Sequence, residues 1–122
     1  MPLQRLRGVF RAPGWLSVAV IAYFSLVPHE MEVRTSLPGW IEHAIAYAGA
    51  AGLLSLGYPL WSWQLIAAAL FGYSGALEAL QGFVPGRHPG IEGAVVSGAG
   101  AAVGAVLTSL LQRPIKGREK PR

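Results

Sequence analysis

The chain has 122 residues, 52% of them apolar and only 13% charged, with 16 glycines and a net charge of +4. Soluble domains carry charge on about a quarter of their residues, so this composition excludes an ordinary water-soluble globule and fits one small integral membrane domain. Cys, Asp and Asn are absent, which removes disulfides and thiolate metal sites and makes every acid within an apolar stretch a Glu.

The basic residues are segregated. Arg5, Arg7 and Arg11 precede the apolar body and Arg113, Lys116, Arg118, Lys120 and Arg122 follow it, leaving only Arg34 and Arg87 between. Basic ends flanking apolar spans predict cytoplasmic tails over residues 1–11 and 112–122. Nucleic acid is not an expected partner, because no aromatic-interleaved basic face or reader motif accompanies the charge.

A spanning helix needs about 20 residues, and four stretches qualify as predicted helices: about 12–27, 38–56, 61–84 and 91–111. The first begins with Pro13 in its initial turn, with Arg11 placed to reach the headgroups. A cleaved signal peptide would share this basic-then-apolar start, but no small-x-small pattern stands directly before Pro28, which favours a retained anchor. A polar loop with Glu30, Glu32 and Arg34 leads to the second helix, a turn at Gly57, Tyr58 and Pro59 leads to the third, and Pro85 to Pro89 leads to the fourth. Short connections force antiparallel neighbours, and an even number of spans puts both termini on the cytoplasmic side. The expected fold is therefore all-α, a four-helix transmembrane bundle in the plasma membrane.

Trp15, Trp40, Trp61 and Trp63 fall near helix ends, at headgroup level. Stripes of small residues mark expected packing seams: Ala44, Ala48 and Gly52 on the second helix; Ala68, Gly72, Gly75 and Ala79 on the third; Gly93, Ser97, Gly100 and Gly104 on the fourth. Such stripes let backbones approach within lipid, and the GxxxG of Gly100 and Gly104 also offers a route to a homo-oligomer.

The few polar residues of the body gather at one set of helix ends. Glu42 lies about four residues inside the second helix, roughly 6 Å deep, and Glu78 about six residues before the end of the third, roughly 9 Å deep. Glu92 opens the fourth, so all three acids, with His43, Gln81, Arg87 and His88, are expected at the outer side of the membrane. Charge at such depths must pair, meet water or be neutralised, and Arg87 is the nearest fixed cation for a bidentate pair. Two readings stand: a satisfied network that fixes helix register, or an outward-facing pocket that binds a polar headgroup through Glu42, His43, Glu78, Gln81, Arg87 and Glu92. Glu78 and His43 are the candidate catalytic groups for acid and base chemistry. No metal or other cofactor is expected, since neither an HExxH nor any comparable ligand spacing occurs.

Taken together, Ser25, Leu26, Val27 and Pro28, then His43 and Tyr47, then Glu78, Gln81, Phe83, Pro85 and Arg87, and a Gly-rich last helix resemble the VanZ family of small bacterial membrane proteins. The likeness covers about residues 25–111, and its ExxQxF with the following Pro and Arg is the most specific part. The family's central Glu, Gln and Arg fall on Glu78, Gln81 and Arg87. Its acid-to-His element keeps only His43, with Glu42 beside it; its later Asp corresponds to Glu92, and its Asn falls near Ser97 or Gly98. The resemblance implies a plasma-membrane protein, and the family's name-giving member is associated with lowered sensitivity to the glycopeptide teicoplanin. The expected partners are membrane lipid and a cell-wall precursor or glycopeptide. The alternatives are a small enzyme acting on a lipid phosphate with Glu78 and Arg87, or an accessory subunit of a larger membrane complex.

Overall fold

The helices begin and end where local chemistry dictates. The computed structural model describes residues 3–27, 36–86 and 90–118, with side chains over 7–112 of these. The described residues form four helices and no strand: α1 (Leu3–Leu26), α2 (Gly39–Gly57), α3 (Trp63–Gln81) and α4 (Ile91–Arg118). α1 starts well before residue 12, because Leu, Gln and Arg are good helix formers. Pro13 therefore lies inside α1 instead of in its first turn, a correction to the expected start. Its missing N–H withdraws the usual partner of the Val9 carbonyl, which stands on an exposed part of the helix.

α3 starts at Trp63, where Ser62 caps it by accepting from the Leu65 N–H at 3.1 Å. It stops at Gln81, short of the expected residue 84. The amides of Gly82, Phe83 and Val84 donate to carbonyls three residues back, in tight turns, and Pro85 has no N–H with which to continue. Gly86 follows at φ 77°, a conformation that suits glycine. α4 continues past residue 111 to Arg118, so part of the expected tail is helical.

The closest packing joins α2 to α4. Gly100 lies on the Ala44 carbonyl and Gly104 on the Ala48 carbonyl, and a Cβ at either glycine would collide with that backbone. Both numbers rise together, so α2 and α4 run parallel along this seam. Gly52 continues it against Thr108, and the Gln112 Nε2 donates to the Ser55 carbonyl at 3.1 Å. Contact this close permits Cα–H to carbonyl interactions that larger residues would exclude. α1 packs antiparallel on α2, with Gly14 against Leu54, and α3 packs antiparallel on α4, with Phe71 against Gly98. α2 and α3, consecutive in the chain, touch only sparsely.

The expected stripes on α2 and α4 are thus the main seam. The one on α3 is not a seam: Gly72 and Gly75 have open space where a Cβ would stand, and Ala68 and Ala79 are exposed. α3 instead buries Ile66, Leu70, Ser74, Leu77 and Gln81, a face whose larger side chains fill a wider gap. Gly100 and Gly104 are covered by α2 of the same chain, so an oligomer through them would require that seam to open.

The core is small and the outside is large. Ala101 and Ala105 are fully buried, while Leu16 is 65% and Leu107 55% exposed. Among the described residues, two helical stretches are long and apolar enough to cross a membrane, Arg7–Leu26 and Ile91–Gln112. α2 and α3 have 19 residues each, and their hydropathy is held down by Glu42 and His43 on one and by Gln64, Glu78 and Gln81 on the other.

Gly104→Leu is expected to destroy the α2–α4 seam and leave no cooperatively folded protein, whereas Gly72→Leu changes the melting temperature by no more than a few degrees. Circular dichroism melts in detergent compare the two.

Candidate functional site

Glu78 is the centre of the polar end. It sits on the last turn of α3, half-buried, three residues before the helix stops. Its Oε2 accepts from the Gly90 N–H at 2.9 Å, and Oε1 lies where a Cβ on Gly93 would stand. The carboxylate therefore occupies the N-terminus of α4, whose first amides lack helical partners and whose dipole is positive there. Gly93 is needed because any side chain would displace the carboxylate.

Beneath Glu78 the interior stays polar. Ser74 stands one turn earlier on the same face of α3 and hydrogen-bonds Tyr47, which is 2% exposed. On α4, Ser97 stands one turn beyond Gly93 and is fully buried; among the described residues its Oγ has no hydrogen-bond partner. Tyr47, Ser74, Glu78 and Ser97 thus form a polar column within a core otherwise built from alanine, leucine and isoleucine.

Gln81 is buried, and its Nε2 donates to the Ser25 carbonyl at 2.8 Å, tying the end of α3 to that of α1. His43 is half-buried, with Nδ1 2.9 Å from the Gly39 carbonyl. That contact fixes the proton on Nδ1 in the neutral ring and leaves Nε2 as the acceptor. Glu42 is half-buried in the first turn of α2. By the register of Ala44 on Gly100, the backbone of Glu42 and His43 is level with residues 98–99, about five residues or roughly 8 Å beyond Gly93 along α4. Glu92 is exposed in the first turn of α4. Arg87 and His88 lie outside the described residues, as does the expected Arg87 ion pair.

The arrangement holds an anionic group at a helix N-terminus, with donors and acceptors below it, and two of the expected site residues also tie helices together. Ser74 was not singled out from the sequence, and Tyr47 entered there only among the residues of the family resemblance. The available signal was spacing: His43 with Tyr47, and Ser74 with Glu78, are each four apart and share a helix face. Comparison with family models, curated proteins and solved structures finds no match to this chain.

Glu78→Ala removes the cap and is expected to cost about 1 kcal/mol. Gly93→Val displaces the same carboxylate, so the double variant should lose less than the sum of the two single losses. Thermal unfolding of all four proteins in one detergent measures this coupling.

Proposed function

We propose that this chain is a four-span integral membrane protein of VanZ type in the bacterial plasma membrane, with both ends cytoplasmic. Its polar end, built around Glu78, Gln81, His43, Glu42, Glu92 and Arg87, faces outward and binds a lipid headgroup, a wall precursor or a glycopeptide.

The observation that carries the membrane reading is the inversion of ordinary packing. A protein in water hides its Leu, Val and Phe, whereas here large apolar side chains stand outside on every helix, and Ala, Gly and Ser share the interior with Leu54, Ile66, Leu70 and Leu77. Only 6% of the apolar stretch Arg7–Leu26 is buried, which is not how the core helix of a soluble protein behaves. A crossing by α2 and α3 is supported by their packing against α4, parallel and antiparallel respectively. At about 1.5 Å per residue their 19 residues reach close to the ~30 Å of a hydrocarbon core. Charge supports the orientation, since the basic ends of the chain fall together.

The VanZ reading is supported by Glu78, Gln81, Phe83, Pro85 and Arg87 at the family spacing. The carboxylate at the start of α4 supports a site at that end. A second reading is favoured by the bonds from Glu78 to Gly90 and from Gln81 to Ser25: these residues fix helix ends and bind nothing.

Orientation is testable because the native chain has no thiol. Arg34→Cys and Arg87→Cys should react with a membrane-impermeant maleimide on intact cells, while Arg5→Cys and Arg118→Cys should react only after lysis; the reverse pattern overturns the orientation. In a glycopeptide-sensitive bacterium the native chain should raise teicoplanin tolerance, and Glu78→Gln and Arg87→Lys should abolish that gain at unchanged protein level. Loss of the protein itself in both variants would favour the helix-fixing role.

A further inference from the structure

The opposite end of the bundle carries a second construction, unrelated to the Glu78 site. Arg11 of α1 donates its Nε–H to the Gly57 carbonyl at 2.8 Å and lies 4.7 Å from the centre of the Tyr58 ring. Tyr58 stacks on Trp61 with ring centres 4.0 Å apart, and its hydroxyl accepts from the Trp15 Nε1 at 2.8 Å. One guanidinium is thus held at the end of an aromatic cluster, against the end of α2 where the last carbonyls lie. An arginine offers five N–H donors, and Gly57 uses one of them. The acids among the described residues, Glu42, Glu78 and Glu92, all lie at or near the other end of the bundle.

Trp15 and Trp61 also begin a groove of about 310 Å³ that runs away from Arg11 along α1 and α3. Its walls are almost wholly carbon, from Val18 on one side and from Leu65, Ala69 and Leu70 on the other, with Tyr73 at its far end. There the Tyr73 hydroxyl donates to the Val18 carbonyl at 2.6 Å and bridges the two helices. From Leu65 to Tyr73 the groove is roughly 12 Å long by helical rise, close to the ~15 Å hydrocarbon depth of one leaflet.

We propose that Arg11 and the α1–α3 groove bind one anionic phospholipid, with an acyl chain between Trp15 and Tyr73 and the phosphate on the Arg11 guanidinium. The proposal rests on the membrane reading above and adds to it a site in the other leaflet. Charge selects the occupant. The groove requires an alkyl chain; the fixed cation at its end requires an anion at the depth where headgroups sit. The basic residues Arg5, Arg7, Arg113 and Lys116 fall towards the same end, so the local field attracts an anionic headgroup over a zwitterionic one. The aromatic cluster holds the guanidinium at interface depth, as tryptophan and tyrosine do at membrane boundaries.

The test is native mass spectrometry of the full chain, delipidated in detergent and offered phosphatidylglycerol or phosphatidylcholine with identical acyl chains. The native protein should retain one phosphatidylglycerol with about fivefold preference, the ratio that ~1 kcal/mol per basic residue near a surface gives. Arg11→Gln should lose that preference, Arg11→Lys should keep most of it, and Ala69→Trp should fill the groove and lower retention of both lipids. Equal preference in the native protein and Arg11→Gln, or unchanged retention in Ala69→Trp, overturns the site. Should Arg11→Gln fail to give the native circular dichroism spectrum, Ala69→Trp and the headgroup preference of the native chain decide it. An alkaline carbonate wash of cell membranes separates this from the underlying reading. Protein released to the supernatant refutes the membrane assignment, whereas protein kept in the pellet with no lipid selectivity refutes the lipid site alone.

Discussion

Everything in this fold depends on how closely α2 and α4 approach. Gly100 and Gly104 present no side chain to the Ala44 and Ala48 carbonyls, so two helix backbones meet where most pairs are held apart by Leu or Val. On the proposed membrane reading, no hydrophobic force drives one apolar helix onto another, and dispersion between close surfaces does so instead. Once small residues are committed to the inside, the large apolar ones are left for the outside, and the exposed faces of α1, α3 and α4 follow from that choice. The same seam sets the register that brings Tyr47 of α2 to Ser74 of α3.

A second consequence is asymmetry between the two ends. Because α2 is committed to α4 and α1, α3 meets α2 only sparsely and leans on α4. At one end this places Glu78 over the start of α4 and Gln81 over the end of α1, so polar side chains close the bundle. From the Tyr73–Val18 bond at mid-helix towards the other end, α1 and α3 leave an apolar groove between them, closed off by tryptophan, tyrosine and arginine. One end is acidic and polar and the other basic and aromatic, a division that the sequence already carries in the positions of its charges.

Much of the fold was legible because composition and spacing act locally. The four helices, their short connections and the small-residue seams on α2 and α4 all follow from apolar runs, turn residues and residue size. The third stripe was misleading: Ala68, Gly72, Gly75 and Ala79 have the same spacing as a seam, but size says only that a close approach is permitted, and the partner's position decides whether it occurs. Helix ends were read less well, since the limits of α1 and α4 depended on helix-forming residues inside charged tails and that of α3 on the tight turns after Gln81. Within the site, Glu78 and Gln81 stood out by being polar in an apolar run. The support of Glu78 at Gly90 and Gly93 comes from the start of a helix whose first residue lies thirteen positions later, which no local pattern encodes.

Whether lipid surrounds the large apolar side chains is decided most directly by spin-label accessibility in reconstituted liposomes. Single nitroxides placed through Leu16→Cys, Phe71→Cys and Leu107→Cys should be relaxed strongly by oxygen, which concentrates in the hydrocarbon, and hardly at all by a water-soluble nickel chelate. Strong nickel relaxation at all three positions would mean that water covers these faces, and the inverted packing would then lack the solvent that explains it.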